Sequence, residues 1–281
     1  MHRDDLFTLR TEHLTIDGCS RAGHESYFRV KELGVALDIG RCPDLVIPLP
    51  HVFVTHAHLD HSAGIPFYAG QRHLQRIPGG RVYVPHENES DFHALMALHT
   101  KLEKTDYDIE IVGMRPDDVV RIGRNVTVRA HQATHRVAAR GYEFIETRHH
   151  LKPEFAGRDG ASLAKLRADG MQLHDLTDVS MLFYTGDTDR GILEQNDALY
   201  HSDVLMIECS FLADGHQANA AKYRHIHFDD IIDFADRFEN RLIVLTHFSR
   251  RYSREEIETT IARRAPPSIR DRLRLALPGG G

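Results

Sequence analysis

The amino-acid sequence predicts an α/β fold in which two mixed β-sheets lie face to face and are flanked by helices. Short apolar runs typical of strands alternate with helical segments in both halves of the chain. The early strands are short and separated by turn signals, which favours antiparallel pairing there. Residues 204–207 and 242–245 are nearly all apolar, as expected for strands covered on both faces. A sandwich of two sheets between helical layers accounts for these patterns together.

The first part of the chain is expected to contain several short strands and two helices. Strands are predicted at 14–16, 27–30, 35–38, 52–55 and 81–84. A helix is predicted at 65–76, where Pro78-Gly79-Gly80 would end it. A second helix is predicted at 88–104, and its apolar stripe comprises Phe92, Leu95, Met96, Leu98 and Leu102.

The rest of the chain continues the alternation. Strands are predicted at 109–112, 119–122, 126–129, 141–145, 181–184, 204–207 and 242–245. Helices are predicted at 228–238 and 254–264. The stretch from 146 to 180 is the least regular, and either an insertion or a helical excursion would explain it.

Composition indicates a globular protein without a disulfide framework. Its 281 residues allow one large domain or two small ones, and we expect a single domain over 1–281. The net charge of −6 does not by itself indicate a nucleic-acid partner, although local basic patches remain possible. The three cysteines lack C-x-x-C spacing, which favours a reducing compartment. Residues 1–5 lack the apolar region of a signal peptide, and no run could span a membrane, so we expect a cytoplasmic protein.

The densest group of potential metal ligands follows the predicted strand at 52–55. It is the run Thr55-His56-Ala57-His58-Leu59-Asp60-His61. Imidazole and carboxylate groups at this density suit Zn²⁺ or another first-row metal. Because neighbouring ligands on such a loop face different directions, it could hold two metals side by side.

Other potential ligands each follow a predicted strand directly. They are His135, Asp187, Glu208 and His247. Because rigid strands hold the loops at their ends, this repetition predicts one site built from distant segments. His131 competes with His135, while Asp38, at another strand end, suggests an acceptor that orients the metal loop. His99, His149 and His150 are interpreted as solvated side chains.

In these residues the chain resembles the metallo-β-lactamase superfamily, whose His-x-His-x-Asp-His signature matches residues 56–61. Within the superfamily it resembles the ribonuclease Z branch, the tRNA 3′-processing endoribonucleases. Further matches are His135 to Tyr142, Tyr184-Thr185-Gly186-Asp187-Thr188, and Leu245 to Tyr252. The resemblance extends from Asp38 to Tyr252 and implies the αββα sandwich of that superfamily.

The resemblance also implies two metals, expected to be Zn²⁺, with Mn²⁺ or Fe²⁺ as alternatives. One would be held by His56, His58 and His135. The other would be held by Asp60, His61 and His247, and Asp187 would bridge the two. Two metals that share a hydroxide provide a nucleophile at neutral pH, which Asp60 would orient.

A proton donor is implied as well. His225 matches a family His that precedes a helix and assists the leaving group, and Glu208 matches the Glu that orients it. The chain departs from the family pattern in Ile226-His227, where small hydroxylic residues are usual. His227 could therefore share the role, or both His225 and His227 could simply cap the helix that follows.

The implied function is a phosphodiesterase or endoribonuclease of the ribonuclease Z type. Its substrate would be a phosphodiester, and small diesters, cyclic nucleotides and RNA are all open. A homodimer is suggested by resemblance alone. The stretch 146–180 has no Gly-Pro tip and no dense basic run, so phosphodiester hydrolysis is better supported than pre-tRNA cleavage. The alternatives are hydrolysis of a thioester, lactone or carboxylic ester, and a non-catalytic binding protein that keeps metal for stability.

Overall fold

The computed structural model describes residues 6–278, which form two seven-stranded sheets. Residues 1–5, which bear on the expected lack of a signal peptide, lie outside the described part. The first sheet contains β1 (Phe7–Arg10), β2 (Thr15–Arg21), β3 (Glu25–Val30), β4 (Val35–Leu37), β5 (His51–Phe53), β6 (Arg81–Pro85) and β7 (Glu110–Met114). The second contains β8 (Val119–Arg121), β9 (Val126–Ala133), β10 (Ala139–Leu151), β11 (His174–Tyr184), β12 (Val204–Glu208), β13 (Leu242–Thr246) and β14 (Leu273–Leu275).

Both sheets are mixed and follow the same plan. In the first sheet, β1 to β4 pair antiparallel and β4 to β7 pair parallel. In the second, β8 to β11 pair antiparallel and β11 to β14 pair parallel. The parallel strands need crossover connections, and these carry most of the helices.

The helices vary in length from 4 to 15 residues. They are α1 (Leu59–Ser62), α2 (Ile65–Leu74), α3 (Glu89–Glu103), α4 (Gly160–Ala168), α5 (Gly191–Gln195), α6 (Gln217–Tyr223), α7 (Phe228–Asp233), α8 (Arg254–Arg264) and α9 (Pro267–Arg270). Within residues 6–278, no helix combines the length and apolar composition that crossing a membrane requires.

Three apolar clusters define four layers. The central cluster joins the two sheets, for example through Phe53 and Phe144, whose ring centroids lie 5.4 Å apart. The outer face of the first sheet packs against α2 and α3. The outer face of the second packs against α5, α7, α8 and α9. Alternation along β12 produces this arrangement, because Val204 and Met206 enter the central cluster and Leu205 and Ile207 enter the outer one. The predicted αββα sandwich is therefore confirmed.

Several predicted elements need correction. In α3 only Phe92 and Met96 are buried, while Leu95, Leu98 and Leu102 are exposed. The helix predicted at 228–238 ends at Asp233 and continues as a 3₁₀ turn, Ala235–Arg237. The stretch 146–180 is largely a continuation of the hairpin between β10 and β11, with α4 near its tip. The sequence did not predict β1 or β14, which are the short edge strands of their sheets.

Candidate metal centre

The candidate site lies where strands of both sheets end. β5 leads into the loop that carries His56 and His58, and α1 then presents Asp60 and His61. β9, β11 and β13 lead in the same way into His135, Asp187 and His247, and Glu208 is the last residue of β12. Because the two sheets face each other, these loops meet above one end of the central apolar cluster.

One group of ligand atoms consists of three imidazoles. Nε2 of His56 lies 3.0 Å from Nδ1 of His58, and Nε2 of His135 lies 3.3 Å from the same His58 atom. The three nitrogens lie within 4.8 Å of one another, close enough to ligate one ion. The structure thus brings together His56, His58 and His135, as the sequence analysis expected.

A second group contains Asp60, His61 and His247. Oδ2 of Asp60 lies 3.6 Å from Nε2 of His61 and 3.6 Å from Nε2 of His247. The two Nε2 atoms are 3.4 Å apart. This is the set that the resemblance assigns to the second metal.

Asp187 lies between the two groups. Its Oδ2 is 3.8 Å from Nε2 of His56 and 3.3 Å from Nε2 of His247. Its Oδ1 is 3.5 Å from Nε2 of His61. A buried carboxylate in this position can contact ions in both groups.

The hydrogen bonds around the site test whether the donor set fits metal ions. Within the described part of the chain, the buried Oδ1 of Asp187 has no hydrogen-bond partner, an arrangement costly for an ionised carboxylate without a cation. Four ligand imidazoles direct their other ring nitrogen to an oxygen atom: His56 to Thr55 Oγ1, His61 to Asp38 Oδ2, His135 to Arg224 O, and His247 to Ser210 Oγ. Such bonds hold the tautomer in which the inward nitrogen offers its lone pair to a metal. The residues therefore fit two divalent cations.

The protonation equilibria point in the same direction. Burial lowers the pKa of His56, His58 and His135, which favours the neutral, ligating imidazole. Burial also opposes ionisation of Asp60, but its closeness to the His247 and His61 imidazoles outweighs burial, so the pKa of Asp60 falls to about 2. For His61, Asp187 and Asp38 outweigh burial and raise the pKa. The lowered pKa of Asp60 and the raised pKa of His61 both show that the carboxylates of the site stabilise a neighbouring cation.

Asp38 bonds to residues on both sides of the loop that carries His56 and His58, which the sequence analysis expects it to orient. Its carboxylate accepts hydrogen bonds from Thr55 N at 2.7 Å, His61 Nδ1 at 2.8 Å and the Tyr184 hydroxyl at 2.7 Å. Tyr184 was not expected from the sequence, although it lies three residues before Asp187. Through Asp38 it connects the second sheet to the loop of the first.

The expected proton donor lies beside both groups. Nδ1 of His225 is 2.7 Å from Oε1 of Glu208, which is fully buried. The His225 ring centroid is 5.1 Å from that of His135 and 5.5 Å from that of His247. Burial opposes protonation of His225, but Glu208 outweighs it and raises the pKa of His225 to about 9. Glu208 therefore favours the protonated form of this imidazole.

The structure distinguishes His225 from His227, and His135 from His131, the two alternatives that the sequence left open. His227 is the N-cap of α7, and its Nδ1 accepts a hydrogen bond from Asp229 N while its Nε2 donates to Ala213 O. Both nitrogens of the His227 ring therefore bond to backbone groups rather than to the candidate site. His131 pairs with Glu143 at 2.9 Å on the adjacent strand and belongs to none of the ligand groups in residues 6–278.

A cleft of about 230 Å³ opens beside the centre. It is lined by Ala22, His58, His135, Arg136, Ser210, Phe211, Tyr223, His225, Ser249 and Arg251. The guanidinium of Arg251 lies 5.1 Å from the centroid of the Phe211 ring, and its Nε donates to Ser249 Oγ. Cationic and aromatic groups therefore stand next to the ligand atoms.

Comparisons with known proteins agree with this geometry. A family model described as a β-lactamase superfamily domain matches residues 40–248. The chain is 32% identical to tRNase Z TRZ1 of Arabidopsis thaliana over 262 residues, which cover 92% of this chain and 94% of the relative. Two solved structures share the fold: the metallo-β-lactamase fold protein YhfI of Bacillus subtilis (TM-score 0.63, 14% identity, 94% and 95% coverage) and the short form of human tRNase Z (TM-score 0.61, 18% identity, 92% and 94% coverage).

Proposed function

Because the chain belongs to the metallo-β-lactamase superfamily, in its ribonuclease Z-like branch, we propose that it is a two-metal phosphodiesterase that cleaves RNA. Its relationship to the hydrolases of this fold, ribonuclease Z among them, follows from the family itself. The choice of a phosphodiester, the metal ligands and the proton donor are our proposal.

We assign His56, His58 and His135 to one metal. We assign Asp60, His61 and His247 to the other, with Asp187 shared between them. Nitrogen and carboxylate donors without thiolate suit Zn²⁺, and Mn²⁺ or Fe²⁺ are the alternatives. When bound, such metals stabilise developing negative charge and lower the pKa of water so that hydroxide is available at neutral pH.

The observation that carries the proposal is the pair formed by His225 and Glu208. An alkoxide leaving from phosphorus is a poor leaving group and needs a proton, whereas a thiolate leaves readily without one. His225 is held through Nδ1 by Glu208, so its Nε2–H is the group able to protonate a leaving oxygen. The contact with Glu208 raises the pKa of His225 and so favours the form that carries this proton. Asp60, besides ligating its metal, can orient the attacking oxygen.

The charges around the cleft also favour an anionic substrate. Arg136 and Arg251 line it and are exposed, although the whole chain carries a net charge of −6. A phosphodiester brings a negative charge to these cations, whereas a neutral ester or lactone does not. This asymmetry supports phosphodiester hydrolysis over acyl hydrolysis.

RNA is the phosphodiester that we propose, and a tRNA precursor is the first RNA to test. The relative named tRNase Z TRZ1 supports this choice, because its similarity covers most of both chains. In this chain the β10–β11 hairpin carries Lys152, Arg158, Lys165 and Arg167, with Glu154, Asp159, Asp169 and Asp175 beside them. Because these charges balance, we expect this hairpin to contribute less phosphate contact than a basic arm would.

The reaction class can be tested by measuring turnover of bis(p-nitrophenyl) phosphate, a thioester and a lactone on one sample with counted metal. Diester turnover with about two metals per chain is expected from a two-metal site. Cleavage of a tRNA precursor at its 3′ side would then define the substrate. Turnover of the acyl substrates alone would contradict the proposal and favour the acyl hydrolase.

The proton-donor assignment can be tested with His225→Asn. The Asn amide can still donate to Glu208, but the group that would protonate the leaving oxygen is lost. We expect roughly a 10²–10⁴-fold loss of diester turnover, with metal content near that of the unaltered protein. Loss of metal in parallel would show that His225 is a ligand rather than the acid.

A further inference from the structure

We propose that Ser210 is a positioning residue whose single hydroxyl connects a metal ligand to the proton donor. This inference rests on the function proposed above, since it concerns the same centre. Ser210 follows β12 by two residues and is 2% exposed. Its position between His247 and Glu208 becomes apparent only in the folded chain.

The Ser210 hydroxyl has four polar neighbours. Its Oγ is 2.7 Å from Oε2 of Glu208, 3.0 Å from Nδ1 of His247, 3.0 Å from the carbonyl oxygen of His247, and 3.4 Å from Nδ1 of His225. A hydroxyl has one proton to donate and two lone pairs to accept with. These contacts therefore compete, and the chemistry of the neighbours decides between them.

The proton of Ser210 belongs to Glu208. The carboxylate can only accept, its contact is the shortest, and hydrogen bonds to charged acceptors are roughly twice as strong as neutral ones. The neutral carbonyl of His247 is the weaker competitor. Nδ1 of His225 has a closer acceptor in Oε1 of Glu208, at 2.7 Å, and does not need the serine.

A lone pair of the Ser210 hydroxyl then accepts a hydrogen bond from His247. Nε2 of His247 faces Asp60 and Asp187 on the ligand side of the ring. If Nε2 offers its lone pair to a metal, the proton must lie on Nδ1, which needs an acceptor. Among residues 6–278, this Nδ1 lies within hydrogen-bond distance of Ser210 Oγ, which can accept its proton.

A continuous path of hydrogen bonds results. Nδ1–H of His247 donates to Ser210, Ser210 donates to Oε2 of Glu208, and Oε1 of Glu208 accepts from His225. Removing the hydroxyl would leave Glu208 with backbone donors, Thr188 N at 2.8 Å and Ile226 N at 3.3 Å, so the carboxylate would stay satisfied. His247 would lose the partner that holds its tautomer. The proposed effect is thus on orientation and metal affinity rather than on folding.

The test compares Ser210→Ala with Ser210→Thr, which keeps the hydroxyl. Ser202→Ala is the matched control, because Ser202 is also a buried serine but bonds to Leu199 and Val204 away from the site. The readouts are Zn²⁺ affinity of the metal-stripped chain by chelator competition, the imidazole N–H signals of that chain by NMR, and diester turnover.

For Ser210→Ala we expect roughly a 10–100-fold loss of Zn²⁺ affinity at one site, a similar loss of turnover, and a shifted or missing imidazole N–H signal. Ser210→Thr should restore all three, and Ser202→Ala should change none of them. Unchanged affinity and signals in Ser210→Ala would overturn the proposal, as would an equal loss in Ser210→Thr or Ser202→Ala. If the unaltered protein cleaves no diester, the proposed function fails, but affinity and NMR still decide the role of Ser210.

Discussion

At the scale of single residues, His131 and His135 show how hydrogen bonds separate two similar side chains. They lie four residues apart, and either could have been the third ligand from the sequence. His135 directs Nδ1 to the carbonyl oxygen of Arg224 and Nε2 toward His58, whereas His131 bonds to Glu143. Only His135 presents a nitrogen to the ligand group.

This difference predicts opposite results for the same substitution. His135→Gln should lower bound metal by roughly one ion per chain, because an amide is a weaker ligand than imidazole. His131→Gln can still donate to Glu143 and should retain full metal content. Elemental analysis after dialysis measures both. Loss of metal from the His131 variant alone would show that the ligand assignment is wrong.

Backbone strain marks the same centre. Asp38 and His247 both adopt left-handed conformations, each with φ of 58°, which residues other than glycine rarely do. Such a conformation costs roughly 1–2 kcal/mol and persists only where the surroundings impose it. Both residues take part in the hydrogen bonds of the candidate site, so the fold stores strain where it positions ligands.

At the scale of elements, two histidines that precede α7 have different roles. His227 stabilises the helix, and His225 is the proposed proton donor. His227 caps this helix as in a capping box: its Nδ1 accepts from the backbone N–H of Asp229, and its own backbone N–H donates to Oδ2 of Asp230. His225, two residues earlier, faces Glu208 instead. From the sequence His225-Ile226-His227, either imidazole could have been the proton donor or the helix cap.

Replacing the cap should cost stability. His227→Ala removes the bond from the Asp229 N–H and the bond to Ala213 O, and should lower the free energy of unfolding by about 1–2 kcal/mol. His227→Asn should recover most of it, because Asn is a strong N-cap. Urea denaturation measures the difference. An unfolding free energy for His227→Ala equal to that of the unaltered chain would contradict this role.

The helix α3 illustrates where an amphipathic pattern overstates burial. Five apolar side chains were expected to form its stripe, yet only Phe92 and Met96 reach the apolar cluster. The helix packs beside β7, the edge strand of its sheet, so one narrow line of the helix meets the sheet. Sequence periodicity identifies the apolar side of a helix but not how much of it a neighbour covers.

At the scale of the whole molecule, a buried arginine joins the two sheets. Arg140 lies on β10 of the second sheet and is 1% exposed. Its Nε donates to the carbonyl oxygen of Met114, on β7 of the first sheet, and its Nη2 donates to both oxygens of Glu87, which follows β6. Burial opposes ionisation of Glu87, but the bond from Arg140 outweighs it and lowers the pKa of Glu87.

A lowered pKa makes the contribution of Glu87 depend on pH. Because the folded pKa lies below the unfolded value of about 4.3, the stabilisation is complete above that pH and is lost as the pH falls through the folded pKa. Glu87→Gln should therefore lower the unfolding free energy near neutral pH by about 1 kcal/mol, a low figure because Glu87 is half-exposed.

The same difference should shrink below about pH 4, where both states of the unaltered protein become protonated. Urea denaturation of metal-stripped protein across acid pH measures it. Glu110→Gln, which removes the exposed pair with Arg81, is the matched control and should change stability little. A difference that grows as the pH falls would contradict the assigned pKa shift.

The central cluster also bears on domain organisation. Side chains from both sheets form it, and ligands from both sheets form the candidate site. We therefore propose that residues 1–281 act as one domain, which predicts a single transition in calorimetry with equal calorimetric and van't Hoff enthalpies. Two resolved transitions would show that the sheets unfold separately.

The amino-acid sequence alone identified the alternation of strands and helices and the strand ends that carry potential ligands, and it favoured a sandwich of two sheets. These features follow from local periodicity and from the spacing of polar residues after apolar runs, so neighbouring residues suffice to predict them. The ligand division and the His225–Glu208 pair came from motif resemblance, and the structure brings those same residues together.

Other features became apparent only in the folded chain: His227 caps a helix, His131 faces Glu143, three of the five side chains of the α3 stripe are exposed, and Ser210 lies between His247 and Glu208. Each of these depends on which side chains from distant segments arrive next to one another. Hydrogen-bond direction and coverage by a neighbouring element are properties of the packed sheets, and no local pattern in the chain encodes them.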